Sequence, residues 1–137
     1  MLARLSELLF VEAVRDYLAG LPPVQQGWLA GLRDPAIGRA LALMHARLAH
    51  PWTSEQLAAE ALLSRSAFAE RFTTLVGVPP MSYLTVWRMQ VAAQSLREGR
   101  RSIAQVAAAV GYESEAAFAR AFKREMGVNP GEYRRRG

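Results

Sequence analysis

The chain of 137 residues carries 17 basic and 12 acidic side chains, which gives a net charge of +5, and it contains no cysteine. This length suits one domain with an additional segment, and the lack of cysteine excludes disulfides, thiolate nucleophiles and thiolate zinc sites. The sequence also has no glycine-rich phosphate loop, nucleophile elbow or clustered carboxylates, so we expect no enzymatic activity.

All basic residues except Lys123 are arginines, a bias that either a polyanion-binding surface or a GC-rich genome would produce. The position of the charge is more informative. Residues 51–137 hold twelve basic and eight acidic side chains, whereas residues 1–50 hold five and four. The positive excess therefore lies in the second part of the chain, as binding to a polyanion would require.

Neither a metal site nor a membrane span is predicted. His45 and His50 are five positions apart, which places them on different faces of a helix, and we expect both at the surface. The longest apolar run near the N-terminus, residues 8–11, lies between Glu7 and Glu12 and is too short for a span or a signal peptide. We therefore expect a soluble, intracellular protein without a metal ion or cofactor.

The first predicted helix covers residues 2–19 and ends at Gly20, before a break at residues 21–23. Its apolar side chains form a stripe that is too broad to remain exposed in a monomer. We expect this helix to pack either on the rest of the chain or on a second copy, as a homodimer. Accordingly, we treat residues 1–33 as a separate segment and residues 34–137 as the domain. The stripe comprises Leu5, Leu8, Leu9, Val11, Val14 and Leu18.

Asp34 and Pro35 predict the start of the next helix, because an N-cap residue is followed by proline at the first helical position. We expect this helix to continue to about Ala49. Its apolar residues recur every three or four positions, so one face should be buried. They are Ile37, Leu41, Met44 and Leu48.

Two stretches about fifty residues apart, 53–80 and 102–130, repeat one pattern. Each begins with the spacing of a capping box and a short alanine-rich helix. Each then has a serine N-cap, a helix with phenylalanine at i and i+4, and a Gly-Val-x-Pro end. This is the outline of a helix-turn-helix. The phenylalanines expected in the core are Phe68, Phe72, Phe118 and Phe122.

In the first unit, the first helix should end at about Leu62, and the second should run from Ser64 to Gly77. A long helix from Pro80 to about Glu98 connects the units. Since every predicted element is helical, the expected fold class is all-α: two helix-turn-helix subdomains, a connecting helix and an N-terminal helical segment. The expected packing positions of the connecting helix are Tyr83, Leu84, Trp87, Val91 and Leu96.

Residues 35–136 resemble the DNA-binding domain of AraC/XylS-type bacterial transcription regulators. The most specific match is the second unit, Gly111-Tyr112-x-Ser114-x-x-x-Phe118-x-Arg120-x-Phe122-Lys123-x-x-x-Gly127-x-x-Pro130-x-x-Tyr133-Arg134. The resemblance implies a fold of seven helices and a cytoplasmic, nucleoid-associated regulator that binds double-stranded promoter DNA, with RNA polymerase as a further partner. Residues 1–33 resemble the end of a cupin-like sensor found upstream in one branch of the family, so we expect a DNA-binding half without its sensor.

A recognition helix presents its first half to base edges in the major groove. Because the phenylalanines face the core, helical spacing identifies the outward residues, and the base-reading positions of the family correspond to them. In the first unit the predicted DNA-binding residues are Arg65, Ser66, Ala69 and Glu70. In the second unit they are Glu115, Ala116, Ala119, Arg120 and Lys123.

The two units differ in charge. The family often has Arg and Lys where this chain has Glu70 and Thr73, whereas the second unit retains them as Arg120 and Lys123. We expect Glu70 either to accept a hydrogen bond from cytosine N4 or to pair with a neighbouring arginine. Ala116 stands where many relatives have serine, and its methyl group could meet a thymine methyl. The second unit is therefore expected to dominate base recognition.

Three residues are predicted phosphate contacts. Thr53 and Ser102 cap the first helices of their units, and helix N-termini favour anions. Arg88, in the connecting helix, has two open assignments, a contact to the DNA backbone or an internal ion pair. Residues 134–136 are expected to form a solvated tail with weak, salt-dependent attraction to DNA.

The alternative function is a helical protein-interaction fragment without specific DNA binding, in which the helix at residues 2–19 pairs with a partner. A gel shift with random competitor DNA separates the two functions, because only a specific binder retains its site when competitor is added.

Overall fold

The computed structural model describes residues 31–136, which form seven helices and no strand, and the all-α prediction is confirmed for this part of the chain. The helix expected at residues 2–19 lies outside the described residues. The helices are α1 (Pro35–Ala46), α2 (Ser54–Glu60), α3 (Arg65–Val76), α4 (Pro80–Glu98), α5 (Ile103–Ala109), α6 (Glu115–Met126) and α7 (Pro130–Arg136).

The predicted starts of α1 and α4 are confirmed, the first by capping hydrogen bonds and the second by its proline. The Asp34 carboxylate accepts hydrogen bonds from the backbone amides of Ala36 and Ile37, both at 3.0 Å, and proline occupies the first position of α1. Helix α4 also begins with a proline and ends at Gly99, whose φ of 70° lies in the left-handed region. Glycine adopts this conformation without the steric cost that a side chain adds, so α4 stops where the sequence predicts.

Two helices end earlier than predicted. Helix α1 stops at Ala46 instead of Ala49, because Arg47 leaves helical geometry (φ −127°, ψ 60°) and its carbonyl accepts a hydrogen bond from the Trp52 indole at 2.9 Å. Helix α2 stops at Glu60 rather than Leu62, because Leu62 itself has a φ of 59°. Neither cause follows from helical periodicity, since one is a tertiary contact and the other is an unusual backbone conformation for leucine.

The two units have separate hydrophobic cores, and α4 contributes to both. Its first half supplies Tyr83 and Leu84 to the core of the first unit, and its second half supplies Met89 and Leu96 to the core of the second. Leu48, in the loop after α1, packs against both cores. The connecting helix therefore packs against both cores, and each recognition helix is held by its own unit. All four phenylalanines predicted to be in the core, together with Ile37, Leu41 and Met44, are 0% exposed.

The surface position expected for the histidines is wrong, because both rings pack on aromatic side chains. His45 is half-buried: Nε2 lies 2.6 Å from the Tyr83 hydroxyl, and its ring lies 4.3 Å from that of Trp87. Burial lowers the pKa of His45. His50 is also half-buried and packs on Trp52 with ring centroids 4.3 Å apart. The described residues hold no group of three or more His, Asp or Glu side chains suited to a metal ion.

Candidate nucleic-acid interface

Each unit begins with the same reciprocal pair of hydrogen bonds. In unit one (residues 53–80), the Thr53 hydroxyl accepts from the Gln56 amide at 3.1 Å, and Gln56 Oε1 accepts from the Thr53 amide at 3.2 Å. In unit two (residues 102–130), the Ser102 and Gln105 bonds are 3.1 and 2.8 Å. Both predicted capping boxes are therefore confirmed. Serine also caps each recognition helix, through Ser64 to the Ala67 amide at 3.2 Å and Ser114 to the Ala117 amide at 3.1 Å.

The turn between the two helices of each unit has the same hydrogen bonds. The Leu63 amide donates to the Ala58 carbonyl at 3.0 Å, and the Tyr112 amide donates to the Ala107 carbonyl at 2.9 Å. One residue in each turn adopts a positive φ, Leu62 at 59° and Gly111 at 95°. The turns therefore place α3 and α6 against their partner helices in the same way, although one uses leucine where the other uses glycine.

The recognition helices α3 and α6 bury their phenylalanines and expose the opposite side. Phe68 and Phe72 have ring centroids 5.7 Å apart, and Phe118 and Phe122 repeat this distance. On the outward faces, most of the predicted DNA-binding residues are exposed. They are Arg65, Ser66, Glu70, Glu115, Ala116, Arg120 and Lys123.

Two of the predicted DNA-binding residues differ from the expectation of full exposure. Ala69 and Ala119 are half-buried, because each directly follows a buried phenylalanine and so lies on the flank of its helix. Their small side chains leave the outward surface flat at these positions. A base edge that approaches α3 or α6 would thus meet a methyl group beside the polar residues.

In unit one, the basic side chains around α3 are engaged in ion pairs. Arg65 pairs with Glu55 at 3.4 Å, and both side chains are strongly exposed. Arg71 forms an ion pair with Asp34, and its Nε donates to the same carboxylate at 2.8 Å. Glu70 has no arginine partner within residues 31–136, so the described structure leaves its carboxylate free.

The Asp34 carboxylate is a hub that joins α1 to α3. It caps α1 and also accepts from Arg71 on α3. Burial would raise the pKa of Asp34, but hydrogen bonds from the Ile37 amide and from Arg71, together with the positive charge of Arg71, hold that pKa below its ordinary value. The sequence indicated the cap, but the pairing with Arg71, 37 positions away, has no local signal.

In unit two, the basic residues on the outward face of α6 have no partner within residues 31–136. Arg120 and Lys123 are exposed and form no hydrogen bond or ion pair with any described residue. Arg124 is close to Glu125, at 3.6 Å. The donors of Arg120 and Lys123 are therefore available to an acceptor outside the described chain, and the outward face of α6 is the more cationic of the two.

The three predicted phosphate contacts differ in their surroundings. Thr53 and Ser102 are exposed at the starts of α2 and α5. Arg88 is half-buried instead, with Nε donating to the Leu48 carbonyl at 3.1 Å and a terminal nitrogen donating to the His50 carbonyl at 2.9 Å. Its partners are backbone carbonyls, so the internal ion pair considered from the sequence is absent from the described residues, and the geometry does not favour a phosphate contact.

The C-terminal arginines are only partly the solvated tail that the sequence suggested. Arg134 is half-buried and donates to the Arg101 carbonyl, whereas Arg136 pairs with Glu132 at 2.7 Å within α7. This contact brings Arg134 next to Arg101 and Ser102, at the start of α5. Sequence reasoning did not identify Arg101 as part of this basic group, although its position directly before Ser102 was a signal.

Among the described helices, none has the length and apolar character needed to cross a membrane.

Comparisons with known proteins agree with this geometry. Residues 57–136 match the family model described as a helix-turn-helix domain. A Streptomyces antibioticus protein described as an AraC-like transcription regulator is 45% identical over 131 residues, which are 96% of this chain and 43% of that protein. The activator RclR of Escherichia coli is 39% identical over 127 residues, 93% of this chain and 44% of the relative. The chain thus spans less than half the length of these relatives.

A solved structure gives the same picture of the fold. The DNA-binding domain of the global transcriptional factor AdpA, determined in complex with a target DNA, superimposes with a TM-score of 0.71 and 32% sequence identity. The match covers 75% of this chain and 92% of that domain. A DNA-binding transcriptional dual regulator from Escherichia coli K-12 has a TM-score of 0.67 at 30% identity, over 77% of this chain and 94% of that one.

Proposed function

Because the chain belongs to the AraC-type family of helix-turn-helix proteins, we propose that it is the sequence-specific DNA-binding part of a transcription regulator. In this proposal, α3 and α6 enter successive major grooves of double-stranded promoter DNA. The observation that carries the proposal is the outward face of α6, where Arg120 and Lys123 are exposed and unpaired within the described residues. The proposed role is binding without catalysis, and it requires no metal ion or cofactor.

We assign base recognition to both units, with the larger share to unit two. A guanidinium such as that of Arg120 donates two hydrogen bonds to guanine O6 and N7, a contact worth roughly 1–3 kcal/mol of discrimination. Glu70, which has no arginine partner in the described residues, is suited to accept from cytosine N4. The full set of proposed base-contacting residues is Arg65, Ser66, Ala69, Glu70, Glu115, Ala116, Ala119, Arg120 and Lys123.

We assign phosphate contacts to the exposed starts of α2 and α5. The hydroxyls of Thr53 and Ser102 accept from backbone amides, and each still has a proton to donate to a phosphate oxygen. Arg101 and Arg134 add positive charge beside Ser102. These contacts would orient the domain on the duplex without reading sequence, because phosphates are the same at every base pair.

The connecting helix sets the expected footprint. Helix α4 has 19 residues, and at about 1.5 Å per residue it is about 28 Å long. Since one turn of DNA is roughly 34 Å, two units joined by this helix fit successive major grooves on one face of the duplex. One copy of the chain should therefore protect an asymmetric site with two segments about ten base pairs apart.

Selection from a random DNA pool, followed by footprinting of the selected site, tests this function. We expect an asymmetric site with two protected segments that survives excess random competitor. A single short segment, or a palindrome that requires two copies, would contradict the proposed docking. If no selected duplex resists competitor, the chain is not a specific DNA-binding protein, and the protein-interaction alternative takes its place.

The remaining proposals concern the whole protein, because the relatives are longer than this chain. We propose a cytoplasmic, nucleoid-associated regulator with RNA polymerase as a partner. Residues 1–33 would form a segment that packs on the domain or on a second copy and residues 34–137 the DNA-binding domain. Deletion of residues 1–33 should then change stability or oligomeric state, measured by thermal unfolding and analytical ultracentrifugation, and leave the selected DNA sequence unchanged. A different selected sequence would contradict this division.

A further inference from the structure

Arg88 lies at the middle of α4, where the two units meet. Its guanidinium donates to the carbonyls of Leu48 and His50, at 3.1 and 2.9 Å, and both acceptors belong to the loop between α1 and α2. A planar guanidinium holds its N–H donors in a fixed fork that can reach two separate carbonyls at once, whereas a lysine ammonium is a compact charge with rotatable donors on a flexible stem. Hydrogen bonds from a charged donor are roughly twice as strong as neutral ones. Arg88 therefore fixes this loop, whose Trp52 lies in the core of unit one, to the connecting helix.

The turn of unit two meets the same loop. A Cβ atom added at Gly111 would lie 3.1 Å from both the Cα and the carbonyl oxygen of Ala49, and 3.1 Å from a terminal nitrogen of Arg88. The two backbones thus approach so closely that any side chain at Gly111 would require its neighbours to move by a few tenths of an ångström. The charge of Arg88 also reaches Tyr112, where it opposes the rise in the pKa of that tyrosine that burial causes.

We call this contact region the junction; it is formed by Arg88, the loop at residues 47–52 and the turn at residues 111–112. The junction adds to the few other contacts that join the two units. The units have separate cores, and within the described part of the chain Leu48 is the residue that packs against both. Among residues 31–136, the units would be joined without the junction mainly by α4 and by that one side chain. A connecting helix alone fixes the distance between the units along its axis. A second contact beside the helix is needed to resist rotation of one unit against the other.

We propose that Arg88 is a positioning residue, which with Gly111 fixes the distance and angle between α3 and α6 and so determines which spacing between two half-sites the protein accepts. This inference rests on the proposed function. Adding one base pair between the half-sites moves the second one by about 3.4 Å and rotates it by roughly 34°. A rigid junction penalises that change, whereas a loose one accommodates it.

The first experiment measures the geometry without DNA. The chain contains no cysteine, so spin labels can be placed by Ser66→Cys on α3 and Ala116→Cys on α6 in the full chain. We expect one narrow label–label distance in the otherwise unchanged protein. Arg88→Met should broaden or shift that distance, and Arg88→Lys should have an intermediate effect because it retains the charge and loses the fork. Circular dichroism is used to check that each variant is folded. If Arg88→Met does not fold, Arg88→Lys serves as the test variant.

The second experiment measures spacing preference with the selected DNA site and versions one base pair longer or shorter. We expect Arg88→Met to lower the preference for the best spacing by about fivefold, the lower end of typical coupling between sites. Arg100→Met is the matched control: Arg100 is exposed and without a partner in the described residues, so its loss removes the same charge outside the junction. It should leave the spacing preference and the label distance unchanged.

The outcomes separate the two proposals. An unchanged label distance in Arg88→Met overturns the positioning role, whatever happens to DNA affinity. An equal loss of affinity at every spacing also overturns it and returns Arg88 to a phosphate contact. If the unchanged protein binds no DNA site specifically, the proposed function is wrong, and the label distances alone still decide whether Arg88 fixes the two units.

Discussion

The two helix-turn-helix units have the same backbone and use their charged side chains differently. In unit one, Arg65 and Arg71 form ion pairs with Glu55 and Asp34. In unit two, Arg120 has no partner among the described residues. The arginines of α3 thus form ion pairs within the protein, whereas Arg120 and Lys123 on the outward face of α6 have no partner within residues 31–136 and are available to a ligand. Repetition of a fold within one chain therefore does not imply that both copies contribute equally to binding.

The turns of the two units also differ, and here it is unit two that makes the additional contact within the protein. Unit two has Gly111 at the left-handed position, directly against the backbone of Ala49. Unit one has Leu62 at the equivalent position, with its side chain 91% exposed. The left-handed residue of unit two is thus constrained by a tertiary contact as well as by its φ, whereas the left-handed residue of unit one has an almost fully exposed side chain. Four predictions test these contrasts.

The largest effect is expected from Gly111→Ala. An L-residue in the left-handed region costs roughly 1–2 kcal/mol, forcing a methyl group into a packed site adds roughly 1–3 kcal/mol, and the lost freedom of glycine in the unfolded chain offsets about 0.5–1 kcal/mol. We therefore expect urea denaturation to show a loss of about 2–3 kcal/mol in the free energy of unfolding.

Gly127→Ala is the matched control for Gly111→Ala. Gly127 also has a positive φ, of 83°, and a Cβ at that position would meet nothing within 4 Å. This control should lose only about 0.5–1 kcal/mol, because the lost freedom of glycine in the unfolded chain partly offsets the backbone cost of roughly 1–2 kcal/mol. Equal losses in the two variants would show that the contact with Ala49 contributes nothing to stability.

Arg120→Ala should weaken specific DNA binding by about tenfold to a hundredfold and relax the preference at one base position, since a bidentate guanine contact is worth roughly 1–3 kcal/mol. Arg65→Ala should have a smaller effect, because Arg65 must first leave Glu55. Fluorescence anisotropy with the selected site and with a random duplex measures both.

The control for Arg120→Ala is Arg135→Ala, an exposed arginine of α7. Its loss should lower affinity slightly and equally for both duplexes, because a phosphate contact carries no sequence information. If Arg120→Ala also lowers both affinities by one factor, Arg120 contacts phosphate. Base recognition would then have to come from unit one or from DNA shape.

Asp34→Asn tests the ion pair of unit one. Asparagine caps helices as well as aspartate does, so the variant should retain α1 and lose only the pairing with Arg71. Because Arg71 is about half exposed, we expect a loss of less than about 1 kcal/mol at pH 7. The folded-state pKa of Asp34 lies below its ordinary value of 3.8. The contribution of the Asp34–Arg71 ion pair to the free energy of unfolding is therefore fully present above pH 3.8 and is lost as the pH falls through the folded-state pKa of Asp34.

The pH dependence provides the check on this assignment. Thermal unfolding of the unchanged protein and of Asp34→Asn should differ at pH 6 and converge as the pH falls through the folded-state pKa of Asp34, since the carboxyl group is then protonated in both folded and unfolded chains. A difference that persists in acid would show that the stabilisation comes from packing around Asp34 and not from its charge.

Much of the helical framework was predictable, because local rules determine it. The capping boxes at Thr53 and Ser102, the proline at the start of α4 and the buried phenylalanines all follow from spacings of three or four residues. The ends of α1 and α2 were not predictable in this way. One depends on the Trp52 indole, and the other on the left-handed conformation of Leu62.

The candidate interface was predictable in outline, since outward residues follow once the buried face of a helix is known. What the sequence could not show is which outward cations are already paired. Arg71 and its partner are 37 positions apart, and Arg88 and its carbonyl acceptors are 40 and 38 apart. These contacts depend on the path of the chain through α4, so a spacing rule limited to a few residues does not contain them.

The smallest expected effect comes from Leu62→Gly, and its sign is opposite to that of Gly111→Ala. The φ of 59° at Leu62 costs a non-glycine residue roughly 1–2 kcal/mol, whereas the greater freedom of glycine in the unfolded chain costs about 0.5–1 kcal/mol. Because the side chain is 91% exposed, its removal sacrifices almost no burial. We therefore expect the free energy of unfolding to rise by about 0.5 kcal/mol, measured by urea denaturation. A fall in stability would mean that Leu62 makes a contact that offsets its backbone strain, and the two turns would then both depend on tertiary packing.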